Sequence, residues 1–226
     1  MKLALFDLDH TLLDGDSEDQ WGSYLIERGI LDPLAYHPRK EVFHQSYREG
    51  ALDIQALITF QLEVLMAYPK EMLYEWREEY IKTRIRPLVL KKGLQVIQEH
   101  QSQYHDIILI TATNEFFTEP IARLLGIDHL ISTRLEKHPD GTYTGKALGT
   151  PSYREGKVIR LDEWLAEQGR VLDDYEEIWF YSDSHNDLPL LTMVDHPIAV
   201  NPDKQLLEYS LKHNWKIMDF RKDGYI

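Results

Sequence analysis

The amino-acid sequence predicts an α/β fold, a parallel sheet interrupted by a long helical insert, and three observations lead there. Short apolar runs at Leu3 to Phe6, Ile107 to Ile110, Ile178 to Tyr181 and Pro197 to Val200 read as buried parallel strands. Helical patterns with recognisable ends lie between the later runs. From about Asp16 to Pro87 the periodicity is helical throughout, with no strand-like run.

Along the chain, the first strand ends at Asp7. The insert then carries helical segments around Gln20 to Arg28, Arg39 to Arg48, Ile54 to Ala67 and Lys70 to Arg84. Residues 16–87 are therefore expected to form a helical cap, and residues 1–15 with 88–226 the sheet-bearing core. The aromatics Trp21, Tyr24, Phe43, Phe60 and Trp76 are expected to make the cap's own small core rather than a ligand cage. In the core, Asn114 can cap a helix that runs to Leu125, with Gly126 ending it. Leu130 to Glu136 and Thr142 to Lys146 flank Pro139-Asp140-Gly141 as the arms of a hairpin. Gly156 to Gln168 repeats Val158, Leu161, Trp164 and Leu165 at helical spacing before Gly169.

With 226 residues, 43% of them hydrophobic, the chain can bury a full core. Its net charge of -13 opposes attraction to nucleic acid or anionic lipid, so neither is an expected partner. The absence of cysteine excludes disulfides, thiolate zinc sites and cysteine nucleophiles. No apolar stretch is long enough to span a bilayer, and the start lacks the pattern of a signal peptide. A soluble cytoplasmic protein, monomer or homodimer, is expected.

The chemistry concentrates at strand ends. Phe6-Asp7-Leu8-Asp9-His10-Thr11-Leu12 puts two carboxylates just after the first apolar run, and Tyr181-Ser182-Asp183-Ser184-His185-Asn186-Asp187 puts two more after the third. Buried acids stay charged only where a cation or reaction partner meets them, so four in two such places suggest a magnesium site. Thr111 follows the second run. In an open parallel sheet ligands collect outside the carboxyl ends of the strands, which would bring Asp7, Asp9, Thr111 and Asp183 to one edge. Lys157, at the start of an amphipathic helix, would by itself read as a solvated surface residue.

In that order, the Asp7-Leu8-Asp9-His10-Thr11 run, Thr111, Lys157 and the Ser182 to Asp187 run resemble the four motifs of the haloacid dehalogenase superfamily. The helical insert after the first motif is similar to the cap of its phosphoserine phosphatase-like branch (subfamily IB). The resemblance implies a Rossmann-like core and a Mg2+-dependent phosphatase. Asp7 would be the nucleophile, forming an aspartyl-phosphate, and Asp9 the general acid and base. Asp7, the backbone carbonyl of Asp9 and Asp183 would hold the metal, with Asp187 holding a metal water or Lys157. Thr111 and the amide of Ala112 would grip phosphate oxygens, Asn186 would be a further donor, and Lys157 would neutralise transition-state charge. His10 and His185 are read as neighbours of the site.

The resemblance also speaks to substrate. In phosphoserine phosphatases an acidic cap residue meets the amine and an arginine meets the carboxylate. Asp16 stands at the acidic position with Glu18 close behind, but Ala56 to Leu62, where the arginine is expected, offers Thr59 and Gln61 and no cation. An aminated phosphoester without a carboxylate, such as histidinol phosphate, suits these residues better than phosphoserine. Arg48, Arg84 or Arg86 could reach the pocket in three dimensions. The rival readings are a phosphotransferase that passes the group to an acceptor alcohol and a non-catalytic phosphate-ligand-binding protein on the same scaffold.

Overall fold

The computed structural model describes residues 1–49 and 51–225. Six parallel strands form its main sheet: β1 (Lys2–Phe6), β2 (Asp106–Asn114), β3 (His129–Thr133), β6 (Glu177–Ser182), β7 (His196–Val200) and β8 (Lys216–Met218). Their order is β3-β2-β1-β6-β7-β8, so the chain turns outward in both directions from β1. In register, Phe6 of β1 lies beside Leu109 of β2 and Tyr181 of β6. This reversal of winding opens a crevice at the carboxyl ends of β1 and β6, where ligands bind in doubly wound sheets. Leu3, Ala4, Leu5 and Phe6 are inaccessible to solvent, as a central strand covered on both faces requires.

Between β1 and β2 the chain is helical: α1 (Ser17–Glu27), α2 (Pro33–Arg48), α3 (Ile54–Ala67) and α4 (Lys70–Tyr80), then a π turn over Ile81–Ile85, a 3-10 turn over Arg86–Leu88 and α5 (Lys91–Ser102). Asp16, Asp32 and Asp53 cap α1, α2 and α3 by accepting from backbone amides of the first turn. α2 begins six residues before the segment expected from sequence, because Pro38, which reads as a break, is carried inside the helix.

The hairpin expectation needs correction. The Leu130 to Glu136 run divides at Arg134: its first part is β3 of the main sheet, parallel to β2, and only β4 (Leu135–Lys137) pairs with β5 (Tyr143–Ala147) as a two-stranded antiparallel sheet. This small sheet carries α3, whose Thr59 hydroxyl donates to the Gly145 carbonyl at 3.3 Å. Gly145 has φ +86°, and a Cβ there would meet the Met66 sulfur of α3 at 2.8 Å. α6 (Glu115–Leu125) follows β2 with Asn114 as cap and Gly126 in the left-handed region beyond it, as the sequence predicts. α7 (Glu155–Glu167), the short α8 (Leu188–Leu191) and α9 (Lys204–His213) complete the layers around the sheet.

Candidate active site

The chain leaves β1 through a tight turn. Asp7 N–H donates to the Tyr181 carbonyl at 2.9 Å, the Leu8 carbonyl accepts from the amides of Thr11, Leu12 and Leu13, and His10 takes a left-handed conformation at φ 57°. The turn folds Thr11 back over the strand end, where its hydroxyl lies 3.1 Å from Asp7 Oδ2 and 3.4 Å from Asp183 Oδ1. The acids of the first and fourth motifs thus meet across one side chain.

Lys157 arrives from α7. Gly156 packs the first turn of that helix onto the Pro151 carbonyl, which a Cβ would approach to 2.0 Å, and Arg154 before it holds φ 54°. The Lys157 ammonium donates to Asp7 Oδ1 at 2.8 Å and Asp187 Oδ2 at 2.7 Å, and the three residues are only 2%, 7% and 4% exposed. Burial alone would push Lys157 down, but the Asp187 and Asp7 carboxylates overcome it and raise the ammonium above its ordinary value. Asp187 Oδ2 also accepts from the Ser182 hydroxyl at 2.6 Å. Asp187 Oδ2 is thus shared between the Lys157 ammonium and the Ser182 hydroxyl.

Three acids, Asp7, Asp183 and Asp187, face this one cation. Burial pushes Asp183 well above the usual carboxylate range, and the charges of Asp7 and Asp187 add to the effect. An incompletely neutralised set of hard oxygens fits Mg2+. Among the described residues no three acidic or histidine side chains converge as a closed metal cage. Mg2+ does not demand one, because it keeps waters and substrate phosphate in its shell.

Asp9 points the other way. Its Oδ1 accepts from the Ser17 amide and its Oδ2 from the Thr113 hydroxyl, both at 2.7 Å. Burial, then the nearby Asp16, raise its carboxyl well above the usual value. Glu18 is also raised well above normal, by burial first and then by Asp16, Asp9 and Asp19. Its carboxylate accepts from the side-chain amides of Asn114, at 3.1 Å, and Gln61. Asp16, which burial likewise raises, uses Oδ1 to cap α1 through the Asp19 amide at 2.8 Å.

These acids rim a cavity of about 460 Å³ that runs from Asp7 beneath the helical stretch. Thr111, Ala112 and Asn186 line it. The Thr111 hydroxyl accepts from the Thr113 amide at 3.2 Å, and Asn186 Oδ1 accepts from the Tyr153 hydroxyl at 3.2 Å. His185 is tied to Asp203 at 2.7 Å, and His10 is exposed, its carbonyl accepting from Asn201 at 3.0 Å.

Sequence reasoning missed Thr11, Ser17 and Thr113, the partners that aim Asp7 and Asp9. It also missed Arg39, Lys40 and Tyr47, which α2 presents to the cavity. Arg39 pairs with both oxygens of Glu63, at 2.8 and 2.5 Å, and Lys40 with Asp19 at 2.5 Å. Arg84 pairs with Glu27 and Arg86 is exposed, and neither lines the cavity; the Arg48 side chain lies outside the described residues. The aromatic expectation holds for Tyr24 and Trp76, which are buried away from the cavity; Trp21 and Phe60 are buried core residues that also line the cavity, and half-buried Phe43 lines it.

The family model of the haloacid dehalogenase-like hydrolases matches residues 4–192, and the chain belongs to that family. It is 42% identical over 219 residues to the histidinol-phosphatase of Neisseria meningitidis serogroup C (strain 8013), covering 97% of this chain and 99% of that one. A crystal structure from Bordetella pertussis Tohama I, described as a protein with unknown function, superposes with a TM-score of 0.91 at 43% identity, covering 97% and 98% of the two chains. A substrate-bound phosphoserine phosphatase shares the fold, with a TM-score of 0.67 at 22% identity and coverage of 98% and 94%. Within the family the protein is a phosphatase, a hydrolase acting on phosphoric monoesters. No helix among the described residues is long and apolar enough to cross a membrane.

Proposed function

We propose that the protein is a Mg2+-dependent phosphomonoesterase that hydrolyses a small aminated phosphate ester through an aspartyl-phosphate on Asp7. The observation that carries this reading is the buried Lys157–Asp7 pair at the end of β1, joined through Thr11 to Asp183 at the end of β6. An aspartate fixed by a lysine and a threonine at the mouth of a cavity is a positioned nucleophile, and one oxygen of it attacks phosphorus. The ester P–O bond breaks as the Asp7 O–P bond forms, and the leaving oxygen takes a proton from Asp9. Water then attacks the phosphoryl group and gives a proton to Asp9. The aspartyl O–P bond breaks, releasing inorganic phosphate and restoring Asp7.

Ser17 and Thr113 hold the Asp9 carboxyl in one orientation at the cavity lining for both proton transfers. Lys157, Thr111, the Ala112 amide and Asn186 bind the phosphate oxygens and their developing charge. Asp7, Asp183 and the Asp9 carbonyl would hold Mg2+. When bound, the metal offsets the repulsion between carboxylate and phosphate.

Asp16 and Glu18 suit an amine on the leaving group. A carboxylate there would meet Arg39 and Lys40 already paired with Glu63 and Asp19. Histidinol phosphate therefore fits better than phosphoserine, and the identity to a histidinol-phosphatase supports that choice. The test is phosphate release from a panel of small phosphoesters, with and without Mg2+, by wild type and Asp7→Asn. Metal-dependent release, best with aminated esters and lost in the variant, is expected. Release by Asp7→Asn at the wild-type rate would overturn the mechanism.

A further inference from the structure

The inner face of α2 meets its neighbours only through long side chains and borders a cavity along its length. Tyr36, Arg39, Lys40, Phe43, His44 and Tyr47 recur at helical spacing along it and all line the cavity. Among the described residues no element runs with its backbone closely packed along α2. Long side chains bridge the gap instead: Arg39 to Glu63 of α3, Lys40 and His44 to Asp19 of α1, and Tyr47 to Ser184 at 2.9 Å. A helix whose aromatic groups pack on one neighbour and also border a cavity marks a ligand compartment.

The compartment has two chemically distinct ends. Near Asp7 it is lined by Lys157, Thr111 and Asn186, which suit phosphate, with Asp9, Asp16 and Glu18 beside them, which suit an adjacent cation. Beneath α2 its walls are Tyr36, Phe43 and Phe60, with Leu57 and Ile58 from α3. Tyr36 stacks on Phe60 at 5.2 Å between centroids, and Phe43 leans on the same ring at 5.3 Å. Gly22 of α1 leaves the space that the Tyr36 hydroxyl fills. Trp21, also in the lining, is 4% exposed and its indole N–H has no partner among the described residues. A cavity of about 460 Å³ is far larger than a phosphate on a three-carbon chain needs.

We infer that the aromatic chamber between α1, α2 and α3 is a ring-binding subsite, so that the substrates are phosphate esters of amino alcohols carrying a nitrogen heteroaromatic ring, and that Phe43 and Phe60 determine this specificity. The inference rests on the phosphatase reading above and deepens it. Stacking between the ring and these aromatics sets affinity and holds the ester over Asp7. The Trp21 N–H supplies a donor for a ring nitrogen.

The test compares kcat/KM for histidinol phosphate, which has the amine and the ring, with phosphoethanolamine, which has only the amine. Wild type should favour the ring-bearing ester by at least about 100-fold, the effect of one well-filled aromatic subsite. Phe43→Ala, which empties the subsite, and Ala35→Phe, which fills it from the exposed side of α2, should each lower that preference about tenfold or more, chiefly through KM. A preference unchanged in both variants, or equal turnover of the two esters by wild type, would overturn the subsite. Calorimetric titration of wild type with histidinol and with ethanolamine, which needs no turnover, tests the same chamber. Tighter binding of histidinol supports the inference, and equal affinity overturns it. If no ester releases phosphate yet histidinol still binds better, the phosphatase reading fails and the subsite stands.

Discussion

At the floor of the site Lys157 grips Asp7 and Asp187 at 2.8 and 2.7 Å with all three side chains almost wholly enclosed. At its wall, α2 reaches its neighbours through Arg39, Lys40, His44 and Tyr47, all long and at least partly open to solvent. Asp7 directly follows β1, whose ladders to β2 and β6 run up to Phe6, and its own amide donates to the Tyr181 carbonyl, so the strand end holds its carboxylate in place. The wall stands on a helix that, among the described residues, has no element's backbone packed closely along it. The same chain thus pairs a rigid place for the reaction with an adjustable place for the leaving group, and changes in the two should be felt differently.

The largest effect is expected at the floor. Lys157→Ala leaves Asp7 and Asp187 buried beside each other without a cation, which costs about 3–5 kcal/mol of stability in urea unfolding. It should also slow phosphate release by roughly 100-fold or more. Wild-type stability in this variant would mean that the pair is not what holds the strand ends. Asp9→Asn keeps acceptors for Ser17 and Thr113 only in part, and should lower kcat by about 100-fold or more while leaving the Mg2+ requirement alone. A raised metal requirement with normal kcat would instead make Asp9 a metal residue.

Acid should soften the floor from behind. His100 of α5 lies against Phe6 and Tyr181, donates or accepts at 2.9 Å to the Tyr181 hydroxyl, and shares one proton with His105 at 2.8 Å. Burial, with His105 beside it, lowers His100 from its ordinary value to about 4. A folded-state value below the unfolded one means that the unfolded chain takes up the proton first as pH falls. Stability from this group is therefore complete above about pH 6.5 and drains away toward pH 4, by roughly 2–3 kcal/mol. His100→Phe should flatten that part of the pH profile; an unchanged slope would place the acid sensitivity elsewhere. The smallest effect belongs to the wall. Tyr47→Phe removes the bond to Ser184, worth about 0.5–1.5 kcal/mol, and should raise KM a few-fold with kcat nearly constant. A fall in kcat alone would show that α2 steers the chemistry itself.

The meeting of Asp7, Asp9 and Asp183 at one edge of the sheet was legible because each follows an apolar run that stops at an acid, whereas Lys157 by itself read as a surface residue and came only with the order of the motifs. Their partners were not legible. Thr11 and Thr113 are ordinary turn and strand residues until the fold aims them, and Ser17 acts through its backbone amide. β3 merged with the hairpin because Thr133-Arg134-Leu135 holds no glycine or proline to mark the break. The start of α2 was hidden by Pro38. With it went Tyr36; Arg39 to Tyr47 lay inside the expected helix, where their mix of aromatic and charged residues at helical spacing was the available sign of a cavity wall.

The most direct test of the central claim is mass spectrometry of enzyme quenched in acid during turnover of histidinol phosphate with Mg2+. The account expects one phosphoryl group on the peptide that contains Asp7, transient in wild type and absent in Asp7→Asn. Phosphate release with the label on another residue, or on none while Asp7→Asn still turns over, would contradict it.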